Sequence, residues 1–238
     1  MNTAVELFFS ETCRLEAKYD DFRNMLSRDE LLRADQLHFE EMRHTYVISH
    51  GFLRLLLGRR LGMKPDEIII RRDARNKPYL NDYPLHFNLS HAKNAFAIAI
   101  CPDFQIGIDL EKVNPYLDYG SVSGTVLNSR EQMYVEEDRT ELYDRFFLLW
   151  TRKEAYLKSV GTGITGDLWK IVSFQDHESL KTGFPEDRIA GPLHRNYYVY
   201  SEKILNYFLS IASPERIIIQ TNIIDEANCE KPDPVILR

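Results

Sequence analysis

No apolar run in this 238-residue chain approaches the length of a membrane-spanning helix, which needs ~20 consecutive apolar residues. Cysteine is scarce. Cys13, Cys101 and Cys229 lie far apart and match neither a zinc-ligand nor a disulfide spacing, which excludes a disulfide framework and fits a reducing cytoplasm. Positive charge is not in excess either: 30 Lys and Arg stand against 36 Asp and Glu, for a net charge of −6. A protein that coats nucleic acid needs a basic face, so that class is excluded, although a local basic pocket is not. The opening MNTAVELFFSETCRLEAKYDD meets acids early and has no basic end before a long apolar run. That is not the pattern of a secretory signal, and a cytoplasmic protein is expected. What is present is ordinary for a globular chain: 44% hydrophobic and 28% charged residues, enough for one large domain or two small ones sharing an interface.

Ser27 and Glu30 have the spacing of a capping box and open a predicted helix in SRDELLRADQLHF. A longer helix follows in EMRHTYVISHGFLRLLLGRRLG, its apolar residues recurring at helical spacing up to Gly62. DEIIIRR reads as a strand, DARNKPYLNDYP as a loop, and HFNLS, AFAIAIC and QIGIDLE as strands, with PDF making a hairpin-like link between the last two. The second half repeats the order: helices at 129–137 and 140–160, a stop at GTG, then strands at WKIVSF, NYYVYS, YFLSIAS and RIIIQT. Pro115 and Gly120 break both periods in KVNPYLDYGS, which places a boundary between halves 1–113 and 114–238. The fold class expected is α+β. The tail EANCEKPDPVILR reads as an extended end.

Strand alternation puts Gly107, Asp109 and Glu111 on one face of IGIDLE, with Ile106, Ile108 and Leu110 on the other. Two carboxylates beside a residue without a side chain suit a hard cation such as Mg²⁺, with room at Gly107 for a ligand; two solvated acids at a strand end are the plainer alternative. In FFLLWTRKEAYLKSVGTGI, Phe146, Trp150, Glu154 and Lys158 recur at i+4 and form one stripe, from which Arg152 and Lys153 turn away. Either Glu154 and Lys158 make a solvent-side ion pair, or they add a carboxylate and a cation to a metal and phosphate site. Ser90 and His91 at a strand end can donate to a phosphate oxygen, and Lys77 sits in a turn before Pro78; each also has an ordinary structural reading.

Taken in order, FNLSHAKNAFAIAI, IGIDLEKVNP and FFLLWTRKEAYLKSVGTGI, supported by RNKPYL and the helix around Arg43 to Arg54, resemble the phosphopantetheinyl transferases of the longer, monomeric, surfactin-synthetase-activating type. The resemblance implies two similar α+β halves related by pseudo-two-fold symmetry, with the ligand site between them. It implies transfer of the phosphopantetheine arm of coenzyme A to a serine of an apo acyl or peptidyl carrier protein, with release of adenosine 3′,5′-bisphosphate. Asp109, Glu111 and Glu154 would hold Mg²⁺, and Lys158 would steady the pyrophosphate. Ser90, His91 and Lys77 would contact the nucleotide phosphates, Arg43 (with Arg33) the 3′-phosphate, and Glu154 would also serve as base. Where the family writes G-K-P this chain has Asn76-Lys77-Pro78, and Asn tolerates a left-handed turn. The resemblance implies a monomer without nucleic-acid or membrane partners. Two other readings differ in class: a metal-dependent nuclease, disfavoured by the acidic balance, and a non-catalytic binding module, disfavoured by the intact Asp109, Glu111, Glu154 and Lys158.

Overall fold

The computed structural model describes residues 3–163, 168–174, 187–191 and 196–230. In chain order these form β1 (Thr3–Glu11), α1 (Tyr19–Asn24), α2 (Arg28–Asp35), α3 (Glu40–Leu61), β2 (Ile70–Arg72), β3 (Pro78–Leu80), β4 (His86–Ala92), β5 (Ala95–Cys101) and β6 (Gly107–Lys112). Then come α4 (Tyr119–Val126), α5 (Ser129–Glu136), α6 (Leu142–Val160), β7 (Asp187–Ala190), β8 (Asn196–Ile204), β9 (Tyr207–Ser213) and β10 (Ile217–Ile223). The capping box of α2 is made, with Ser27 Oγ accepting from Glu30 N and Ser27 N donating to the Glu30 carboxylate. Helix α3 ends at Gly62 and α6 at Gly161, both left-handed.

Among the described residues two four-stranded sheets carry the fold, in strand order β10-β1-β5-β4 and β6-β9-β8-β7. They pack face to face, because their alternating strands are apolar on both sides. Val5, Leu7 and Phe9 of β1 join the alanines of β5 and Ile106, Ile108, Leu110, Leu209 and Ile211 in a core between the sheets. The opposite face of the first sheet, with Phe8, Phe96, Ile98 and Ile100, buries α3. That of the second, with Val199, Phe208 and Ala212, buries α6. The layers therefore run helix, sheet, sheet, helix, an α+β architecture of two halves as expected.

Several boundaries differ from the sequence reading. The segment β6 does not form a hairpin with β5. It crosses to the second sheet and pairs antiparallel with β9, while β5 pairs with β4. In return β10 leaves the second half and pairs parallel with β1. The exchange of sheets thus occurs at residues 102–106 and again at 214–216. The loop DARNKPYLNDYP contains the short β3, and WKIVSF is a 3₁₀ turn, Leu168–Lys170, followed by a single bridge from Val172 to Ala190. In the tail, residues 226–230 form turns that bury Cys229, and the rest lies outside the described residues. No described helix is long and apolar enough to cross a membrane.

Candidate active site

The edge strands of the two sheets, β4 and β6, meet through side chains. Asn88 Oδ1 accepts from Ile108 N at 2.7 Å, and Ser90 Oγ accepts from Leu110 N at 3.2 Å. Residues two apart on a strand share a face, so Asn88 and Ser90 together supply the acceptors that a neighbouring backbone would offer. The Asn of the FNLSH stretch therefore joins the halves. Its role was hidden in the sequence, because the partner strand is known only from the fold.

On the other face of this junction lies α6. A Cβ added to Gly107 would fall 2.0 Å from the Ala155 carbonyl oxygen and 2.3 Å from Ser159 N. The glycine makes room for the helix backbone, not for a ligand. This close approach brings Lys158 over β6, where its ammonium lies 2.7 Å from Asp109 Oδ1 and 2.9 Å from Ser90 Oγ. Asp109 is 4% exposed, and its Oδ2 is buried without a hydrogen-bond partner among the described residues. Glu154, also 4% exposed, follows on the α6 stripe that Phe146 and Trp150 begin.

The carboxylates feel one another. Burial, then the charge of Asp109, raises Glu154 to about 7 against the pull of Lys158. Burial, then Asp109, with Glu154 adding to it, raises Glu111 to about 7. Three acids of which two prefer a proton near neutrality, and an orphaned carboxylate oxygen, make an oxygen-only donor set short of positive charge. That chemistry fits a hard dication. Among the described residues no three His, Cys, Asp or Glu side chains already converge at metal-ligand spacing, and Asp109 Oδ1 is turned to Lys158.

Beside this cluster opens a cleft of about 500 Å³. Leu89, Ser90 and His91 of β4 line it, with Tyr46 and His50 of α3, Arg33 of α2, Arg72, Pro78, Lys93 and, from the second half, Lys158. His50 is stacked on Tyr46 at 3.8 Å, and burial lowers it to about 4. The Tyr46 hydroxyl is buried without a partner among the described residues. His91 is solvent-accessible at this cleft, and desolvation by the protein around it, with the charges of Lys158 and Arg33, lowers its pKa.

Three of the expected site residues are engaged within the protein. Ser90 gives its one hydrogen to Asp109 at 3.1 Å and accepts from Leu110 N and Lys158. A hydroxyl has one donor and two acceptor positions, so all three of Ser90 are taken by partners within the protein. Lys77 does not face the cleft with its charge: its ammonium lies 2.6 Å from the Lys158 carbonyl and 3.1 Å from that of Ser159, and burial lowers it to about 8. Arg43 donates to the Leu37 carbonyl at 3.0 Å and braces the loop before α3; the basic residues on the cleft are Arg33, Arg72, Lys93 and Lys158. Sequence reasoning did not single out Arg72, the last residue of the strand segment DEIIIRR, or Lys93, which lies inside FNLSHAKNAFAIAI. Lys153 and Arg152 do turn from the stripe, into the core: Lys153 meets Glu131 at 2.5 Å and Arg152 meets Asp187 at 3.1 Å.

Comparison with known proteins places these elements in a wider set. A family profile described as 4'-phosphopantetheinyl transferase superfamily matches residues 105–212, and one described as 4'-phosphopantetheinyl transferase, N-terminal, matches residues 15–103. The chain is 38% identical over 154 residues to the 4'-phosphopantetheinyl transferase HetI of Nostoc, covering 63% of this chain and 65% of that protein. It is 32% identical over 180 residues to the 4'-phosphopantetheinyl transferase pptA of Paxillus involutus, covering 63% and 68%. Against the 4'-phosphopantetheinyl transferase Sfp of Bacillus subtilis the identity is 24% over 145 residues, covering 60% and 64%. The chain thus spans less than two thirds of the length of HetI and of Sfp.

Proposed function

The chain belongs to the 4'-phosphopantetheinyl transferase superfamily, and we propose that it transfers the phosphopantetheine arm of coenzyme A to a serine of an acyl or peptidyl carrier protein with the help of Mg²⁺. The observation that carries this reading is the juxtaposition of Asp109, Glu111, Glu154 and Lys158 with a cleft whose other wall bears Arg33, Arg72 and Lys93. An acidic cluster that fits a dication beside a basic cleft fits a ligand whose pyrophosphate joins a phosphorylated nucleotide to an uncharged arm.

In the reaction the serine hydroxyl of the carrier attacks the phosphorus that bears the arm. The new bond is serine O–P, and the bond broken joins that phosphorus to the bridging oxygen, which leaves on adenosine 3′,5′-bisphosphate. Glu154 receives the serine proton as general base. Lys158 lies beside Asp109 and lines the cleft, where its charge offsets that of the pyrophosphate. His91, lowered and so neutral at pH 7, can donate to a phosphate, as can Arg33 and Arg72. The unpartnered Tyr46 hydroxyl offers a further polar contact in the same cleft. Asp109, Glu111 and Glu154 would hold the Mg²⁺, which when bound supplies charge neutralisation at the leaving oxygen. A cytoplasmic monomer completes the proposal.

Incubating the chain with coenzyme A, Mg²⁺ and several apo carrier domains, followed by intact-mass measurement, tests it. The carrier should gain the mass of one arm at its acceptor serine. No gain on any acyl or peptidyl carrier, with coenzyme A left whole, would contradict the assignment.

A further inference from the structure

The turn between β2 and β3 reaches from the first half to the end of α6 in the second. Its shape is set internally. Asp73 Oδ1 accepts from the backbone N of both Arg75 and Lys77 at 2.9 Å, Asp73 N donates to the Lys77 carbonyl, and Asn76 takes the left-handed conformation at φ 68. So braced, the turn sends out two cations. The Lys77 ammonium lies 2.6 Å from the carbonyl of Lys158, 3.1 Å from that of Ser159 and 3.3 Å from that of Ile106. Arg75 Nη1 lies 3.1 Å from the carbonyl of Gly161.

The last carbonyls of a helix have no partner within it and carry the negative end of its dipole, so cations there satisfy both the hydrogen bonds and the charge. Here the cap comes from the opposite half of the molecule. It also takes in Ile106, in the segment where the chain passes from one sheet to the other. The capped turn is the one that carries Lys158, and Glu154 lies one turn before it. With Gly107 against the helix side and the two cations at its end, the position of this turn depends on both halves.

We propose that Lys77, seconded by Arg75, is a cross-half cap that positions the last turn of α6, and with it Lys158 and Glu154, and so acts on the reaction without touching the substrate. This inference rests on the transferase reading for its kinetic consequence but not for its structural one.

The test combines amide hydrogen exchange of residues 154–161 with transfer kinetics on the full chain, for wild type, Lys77→Met, Lys77→Arg and Arg75→Gln. Lys77→Met should speed exchange in this turn and lower kcat ~10- to 100-fold, the scale of a small misplacement of catalytic groups. The KM for coenzyme A should change by less than about threefold, because no substrate contact is lost. Lys77→Arg, which still donates to the carbonyls, should restore much of both, and the exposed Arg75→Gln should move both in the same direction by less. A raised KM with unchanged kcat and exchange would overturn the proposal and make Lys77 a substrate contact. Faster exchange with unchanged kcat would overturn the positioning role. If the wild-type chain transfers nothing, the transferase reading fails, and the exchange comparison still decides whether Lys77 caps the helix.

Discussion

Ser90 has one hydroxyl hydrogen and two lone pairs, and all three are engaged by Asp109, Leu110 N and Lys158. No local pattern could have shown this, because two of these partners lie on β6 and one on α6. Asp109, Glu111, Glu154 and Lys158 were legible for the opposite reason: strand alternation and i+4 spacing place them on a face without knowledge of the partner. Asp109→Ala should cost transfer at least ~10²-fold, in line with loss of one strong transition-state stabiliser. It should leave stability little changed, since removing its charge also relieves Glu111 and Glu154. Turnover near wild type at limiting Mg²⁺ would remove Asp109 from the metal site. The two raised glutamates make a second prediction without any substrate. Each has an ordinary value of 4.5 and is raised to about 7 in the fold, so the folded chain binds more protons than the unfolded one in that window. Their contribution is fully present below the unfolded value and is lost as pH rises through about 7. A dication held by the ionised carboxylates offsets that loss. The rise in Tm on adding Mg²⁺ should therefore be larger at about pH 8 than at about pH 5; an equal or absent rise would mean that these acids do not hold the ion.

At the scale of elements, α6 is the part that the sequence displayed best and the part whose setting it concealed most. Its length, its left-handed stop at Gly161 and its stripe of Phe146, Trp150, Glu154 and Lys158 follow from spacing. What lies beneath the opposite side does not. Lys153 and Glu131 are both fully buried and 2.5 Å apart, and Glu131 also accepts from Ser173 N and Oγ. The adjacent Lys153 and Glu154 of TRKEAY thus divide between a core ion pair and the site. Gly107 was read as space for a ligand, but the space is filled by helix backbone. Gly107→Ala should lift α6 from β6, costing about 1–3 kcal/mol as overpacking of a filled core does, and should lower transfer by moving Lys158 away from Asp109. Denaturant unfolding and kcat/KM on the same variant check both effects; wild-type stability would show that the contact is loose.

At the scale of the whole molecule, the two-half architecture was readable from the order of helices and strands, but the exchange of strands between the halves was not. An alternating strand specifies which of its faces is apolar, never which neighbour it pairs with. The segments β6 and β10 each join the sheet of the other half, so the two sheets share one chain topology and one core. A fragment of residues 1–113 lacks β10, and its β6 has lost β9; it should not give the dispersed amide spectrum of a folded domain, and such a spectrum would refute this dependence. The cleft and the acid cluster both lie where the halves meet, so the proposed binding of coenzyme A against Asp109 and Glu154 draws on both halves. The most direct test of that account is to quantify both products of one reaction: adenosine 3′,5′-bisphosphate in solution and the arm on the carrier serine. Equal amounts of the two, both abolished by chelation of Mg²⁺ and by replacing the acceptor serine with alanine, are the expected result. Release of the nucleotide without gain of mass on the carrier would contradict it, because the chain would then be hydrolysing the pyrophosphate instead of transferring the arm.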